Sequence, residues 1–169
     1  MGHGIDDERR DRLAVRRTEL SAQYLKPRSQ RPTSTARGVH HIALICSDVE
    51  RTVQFFDGLL RFPLIEMFEN RDYQGSTHFF FDIGHGNALA YFDLPGLDLG
   101  EYAEVLGGHH HLAISISRAE WEAARARLQA AGVECAHVDG SSLYFRGPDG
   151  ERLELISDPL GEMYGTELG

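Results

Sequence analysis

The chain has 169 residues, 41% hydrophobic and 25% charged, with a formal net charge of −9. That length allows one compact domain or two small fused halves, and no apolar run approaches the ~20 residues that span a bilayer. Residues 1–37 hold nine Lys/Arg against five Asp/Glu, whereas residues 38–169 hold eight against 21, and so acidic a body argues against nucleic acid as a partner.

At the N-terminus, "DDERRDRLAVRRTELSAQYL" (6–25) predicts a charged helix with a thin apolar stripe at Leu13, Val15, Leu20 and Leu25. "KPRSQRPTSTARG" (26–38) carries two prolines and many small polar residues, and predicts a linker. Residues 1–37 are therefore an appendage, and the structured body is expected to start near Gly38. There is no apolar h-region for a secretory signal, and the two cysteines, Cys46 and Cys135, build neither a disulfide framework nor a metal motif. A reducing cytoplasmic location is the expectation.

From Gly38 the pattern repeats. "HHIALICS" is a β-branched strand, and "SDVERTVQFFDGLLRF" is a helix capped by Ser47 or Asp48, with Val49, Val53, Phe56 and Leu60 at helical spacing. Strands follow around "PLIEMFE", "THFFFDIG" and "NALAYFD". The second half begins again with "HHLAISIS". Its helix, "SRAEWEAARARLQAAG", has a capping box from Ser117 to Glu120 and stops at Gly132. "VECAHV", "SLYFRG" and "ERLELIS" complete it, the last two joined by the turn "GPDG". Each half reads β-α-β-β-β, and a repeat on this scale decides the fold class. The expectation is α+β: paired βαβββ modules at 38–97 and 108–158 curving around a cleft, with a linker at 98–107 and a tail at 159–169.

Alternation then sorts the histidines. Ile42, Leu44 and Cys46 share the helix-covered face of the first strand, as do Leu112, Ile114 and Ile116 in the second half. The other face carries His41, Ala43 and Ile45, matched by His111, Ala113 and Ser115. His41 and His111 thus face the cleft from equivalent strands, whereas His40 and His110 point away. In the last strand, Leu153 and Leu155 turn to the helix, so Glu154 faces the cleft, where an unpaired carboxylate is costly. Two imidazoles and one carboxylate suit Fe(II), Mn(II) or a related divalent ion such as Zn(II) or Ni(II).

"HHIAL…DVERTVQFF", "HHLAI" and "YFRGPDGERLEL" resemble the vicinal oxygen chelate superfamily of glyoxalases, bleomycin- and fosfomycin-resistance proteins and extradiol dioxygenases. The resemblance covers residues 38–158. It implies a metal held by His41, His111 and Glu154. Aligning Gly86 with Gly150 puts Ala90 opposite Glu154, so only three protein ligands remain. "HVDGSSLYFRGPDGERLE" also resembles the extradiol dioxygenase signature, through His137, Leu143, Tyr144, Pro148, Gly150 and Glu154. Cys135 and Gly147 depart from it. Asn87 stands where those enzymes carry an acid–base His, with His85 (read as a turn residue) and His78 nearby.

The leading expectation from this resemblance is an Fe(II) dioxygenase acting on a catechol-like small molecule, with Tyr144 and His137 as catalytic groups. The alternative is a lyase, isomerase or transferase of the glyoxalase or fosfomycin-resistance kind on the same triad. A third reading is a non-catalytic binding protein. A homodimer is expected, with no nucleic-acid or membrane partner.

Overall fold

The computed structural model describes residues 6–138 and 140–168. Residues 6–37 fall in one unit and Gly38–Leu168 form another. In the first, α1 (Asp7–Tyr24) starts where Asp6 accepts from the Arg9 amide at 2.7 Å, and it buries no side chain. No helix among the described residues is long and apolar enough to cross a membrane.

The second unit contains both expected modules. The first comprises β1 (His41–Cys46), α2 (Val49–Val53), β2 (Leu64–Glu69), β3 (Thr77–Asp82) and β4 (Ala88–Asp93), with sheet order β1-β4-β3-β2. The second comprises β5 (Leu112–Ser115), α3 (Arg118–Ala130), β6 (Ala136–Val138), β7 (Ser142–Arg146) and β8 (Arg152–Ile156), with the matching order β5-β8-β7-β6. Each first strand lies parallel to its module's last strand, and all other pairs are antiparallel. A short hairpin, β9 (Glu162–Met163) and β10 (Thr166–Glu167), occupies the tail.

The helix caps fall where the polar residues predict. Asp48 accepts from the Arg51 amide, and Ser117 accepts from the Glu120 amide. Gly132, at φ +75°, ends α3 in the left-handed conformation. After Val53 the helix widens into a π-helical stretch, Gln54–Leu60, that an even helical spacing does not foresee. The wider turn keeps Thr52, Phe56 and Leu60 buried on one face.

One core joins the modules. Phe56, Phe79, Phe81, Leu89 and Tyr91 from the first pack in one cluster with Trp121, Leu128, Leu143, Leu153 and Leu155 from the second. Full burial of a side chain of this size contributes about 1.5–3 kcal/mol. Cys46 lies in this core as its strand face predicts. Polar contacts fix the modules' orientation. Arg127 Nε donates to the Leu59 carbonyl at 2.7 Å, covering the end of the π-helical stretch. Asp149 accepts from the Ser47 amide and pairs with Arg51 at 2.7 Å. Tyr91 donates to Glu151 Oε1 at 2.9 Å, and both residues are buried.

The Glu151 carboxylate also explains the glycine at 147. A Cβ there would lie 2.3 Å from Glu151 Cδ and Oε1. Burial holds the Glu151 carboxyl above its ordinary range, and the Tyr91 hydroxyl and the Asp149 amide pull it back down.

Tyr91→Phe leaves this buried carboxylate short of a donor, which should cost about 1.5–3 kcal/mol in urea unfolding. The variant raises the folded-state pKa of Glu151 further, so its folded state binds more protons. Its deficit should shrink as pH falls through that pKa and be fully present above it. A pH-independent deficit would show that the lost bond was not to an ionised group. A chain starting at Gly38 should unfold as cooperatively as the full chain, and a broadened transition would show that residues 1–37 support the body.

Candidate functional site

The register confirms which residues correspond. Ala43 pairs with Ala90 in the first module, and Ala113 pairs with Glu154 in the second. Phe80 lies beside Ala90, and Tyr144 lies beside Glu154. One pair further on, His78 and Ser142 correspond, as do Phe92 and Ile156. The helix-free face of each sheet is thus the same surface with different side chains.

On the second module this face holds a compact polar group. Glu154 is 3% exposed, although it is a carboxylate on a strand between two leucines. His111 Nε2 stands 2.9 Å from Glu154 Oε2. The Tyr144 ring meets the His111 ring edge-on at 5.4 Å between centroids. Burial first, then a hydrogen bond to Glu154 and that carboxylate's charge, push the Tyr144 phenol up to about 12. It remains a neutral donor near pH 7.

A chain of contacts fixes the protons here. Arg152 Nη1 lies 2.8 Å from Glu104 Oε1 and 2.9 Å from His110 Nε2. A guanidinium only donates, so a neutral His110 carries its proton on Nδ1. That nitrogen lies 2.7 Å from His111 Nδ1, which leaves the His111 proton on Nε2, facing Glu154. To ligate a metal through Nε2, neutral His111 takes its other tautomer, with the proton on Nδ1. His40 and His41 form the corresponding pair in the first module, with their Nδ1 atoms 2.9 Å apart.

On the first module the equivalent face is apolar around His41. Ala90 and Phe80 take the places of Glu154 and Tyr144, and the rings of His41 and Phe80 lie 6.2 Å apart. His78 stacks on Phe92 at 3.8 Å, and burial and His41 hold its pKa below the ordinary histidine range.

The structure therefore brings His111, Glu154 and Tyr144 together and leaves His41 apart. Among the described residues, no three His, Cys, Asp or Glu side chains are grouped to hold a metal ion. His137 lies on the opposite face of the sheet from Tyr144 and Glu154. It pairs with the core residue Leu143, and its ring meets buried Trp121 edge-on at 5.7 Å, on the helix side of the sheet. His85 lies in a turn, with φ of +88°, +54° and +74° across Gly84–Gly86, and lines a separate cavity of about 630 Å³ with Asn87. The larger cavity, about 1400 Å³, lies beyond the ligand row, between Ala43–Ser47, Asp93–Glu101 and the Pro148–Glu151 turn. Sequence reasoning missed the His110–Arg152–Glu104 support of His111, because Glu104 lies in an irregular segment whose course no periodicity reveals.

The chain is 29% identical over 133 residues to the metallothiol transferase FosB of Shouchella clausii, covering 74% of this chain and 83% of that protein. It is 25% identical over 122 residues to the glutathione transferase FosA of Serratia marcescens, covering 70% and 79%. A mutant of the fosfomycin resistance protein FosX from Listeria monocytogenes, complexed with Mn(II) and 1S,2S-dihydroxypropylphosphonic acid, matches with a TM-score of 0.57 at 26% identity, over 75% of this chain and 96% of that one. These relatives are transferases and resistance proteins, and none of them supports ring cleavage or iron. With two βαβββ modules in matching register, and a family match running from residue 38 to 155, the chain belongs to the glyoxalase/bleomycin resistance protein/dioxygenase superfamily.

Proposed function

We propose that this protein is a divalent-metal-dependent enzyme of the fosfomycin-resistance kind, which transfers a thiol or water to a small oxygen-bearing electrophile. The observation that carries the reading is the buried Glu154 carboxylate paired with His111 beside a neutral Tyr144 hydroxyl. His111, Glu154 and His41 fit an ion such as Mn(II), which accepts imidazole and carboxylate donors. When bound, the ion supplies positive charge that polarises a substrate oxygen. Glu154 contributes the single negative ligand. Before the ion binds, the pair His110 and Arg152 holds the His111 ring in place. Tyr144 donates its O–H toward substrate oxygen and orients it.

Because His41 stands apart from His111 and Glu154 within one chain, the reading extends to a homodimer. In it, His41 of one copy meets His111 and Glu154 of another, so both sites are shared. The relatives named above make addition of a thiol or water to the substrate a better fit than oxidative ring opening.

Elemental analysis should find about one divalent metal per parent chain, and Glu154→Ala, which removes the only anionic ligand, should lose most of it. Full occupancy in that variant would sink the ligand assignment. Unfolding and refolding His41→Ala with Glu154→Ala in equal amounts should recover roughly a quarter of the parent's metal, because half the dimers are mixed and each mixed dimer has one intact site. No recovery would place all three ligands within one chain. The Mn(II)-loaded protein should consume fosfomycin with a thiol or with water, and Tyr144→Phe should slow this by about 10- to 100-fold. Turnover that is unchanged by Glu154→Ala would refute the mechanism.

A further inference from the structure

His41 is flanked on its own sheet by a wall of rings that the proposed chemistry does not use. The wall runs across three strands. Phe68 on β2 meets His78 on β3 edge-on at 5.2 Å, and His78 stacks on Phe92 of β4 at 3.8 Å. Phe80, two residues along β3, lies 4.3 Å from His78, 5.9 Å from Phe68 and 6.2 Å from His41. These rings stand on the face opposite the core residues Phe79, Phe81, Leu89 and Tyr91. Phe68 is 46% exposed. Core packing therefore does not account for them, and a partly exposed aromatic wall that begins beside a candidate ligand calls for an occupant.

Two further observations say what kind. His78 Nε2 is buried and has no hydrogen-bond partner among the described residues. In the second module, Ser142 at the corresponding position likewise has a buried hydroxyl without a partner. Buried polar atoms are normally paired, so two at equivalent positions mark surfaces completed by something else. The charge balance near the ligand row points the same way. Arg152 is engaged by Glu104 and His110, and Arg146 donates to the Gly150 carbonyl and lies over the Tyr102 ring. The sole lysine of the chain is Lys26, outside the body. Neither arginine is therefore free to add charge beside Glu154, and apolar surface lies beside His41.

We infer that Phe68, Phe80 and Phe92 form an apolar subsite for the body of the metal-bound substrate, with His78 Nε2 as the one polar contact within it. The preferred substrate is then a chelating molecule that carries a flat apolar body of about ring size, and a small electrophile such as fosfomycin, although consumed, leaves this subsite empty. A body wedged among the rings replaces ring–ring contacts and brings a hydrogen-bonding group to the unpaired nitrogen. The inference rests on the proposed metal site.

Hydroxamates test it, because each presents two vicinal oxygens to a metal and the attached body can be varied. Calorimetry on the full-length Mn(II)-loaded protein would compare acetohydroxamate with benzohydroxamate. The phenyl form should bind about tenfold tighter or more. Phe80→Ala and Phe92→Ala should bring the ratio close to one and leave acetohydroxamate binding within about twofold. The best of the three ring-hydroxylated benzohydroxamates should gain further affinity, and His78→Phe should remove that gain while keeping the phenyl preference. Equal binding of the two simple hydroxamates to the parent protein overturns the subsite without recourse to any variant. A hydroxyl gain that survives His78→Phe overturns the role of His78. If the phenyl preference persists without metal and in Glu154→Ala, the subsite stands and the metal reading fails. If Phe68→Ser weakens self-association and no hydroxamate distinguishes the variants, the wall is covered by a second copy and the inference is wrong.

Discussion

The buried carboxylate of Glu154 is the constraint on which the candidate site depends. An ionised group that is 3% exposed on a β-strand is stable only with strong donors or a cation beside it. His111 and Tyr144 supply those donors from the adjacent strand entrance and the neighbouring strand. Each is itself held from behind, His111 by His110 and Arg152, and Tyr144 by its place in β7 opposite Glu154. Glu154 and Tyr144 are therefore preorganised on sheet positions, and the segment before β5 contributes His110 and His111 together with Glu104.

Matching register in the two modules turns a sequence repeat into a functional comparison. The same two-residue step separates His41 from Ala43 and His111 from Ala113, and the same ladder carries each to the last strand. What differs is chemistry: Glu154 and Tyr144 on one sheet, Ala90 and Phe80 on the other. One half supplies charge and hydrogen bonds, and the other supplies a single imidazole in apolar surroundings.

Much of this was legible in the sequence. Strict period-two alternation located His111 and Glu154 on one face, because the leucines on the opposite face have only one place to go. The equivalence of Ala90 and Glu154 followed from two glycines in similar turns. The side of the sheet that His137 faces was not legible. It depends on the pairing of a three-residue strand across a short turn, and a shift of one residue there reverses every side chain. The π-helical stretch was equally hidden, since Thr52, Phe56 and Leu60 fit an ordinary helix almost as well. Local periodicity also could not say whether two equivalent faces meet within one chain, because that is decided by how the modules pack and not by either module alone.

The contact between Gly147 and Glu151 constrains how this turn can change over time. The carboxylate occupies the space where a side chain at 147 would begin, and the Tyr91 hydroxyl and a backbone amide hold it there. Any larger residue at 147 is admissible only after Glu151 has been shortened, and shortening Glu151 first strands the Tyr91 hydroxyl in the core. The three positions are epistatic: each single step passes through a less stable protein, so the turn is locked by the order in which its substitutions would have to arrive.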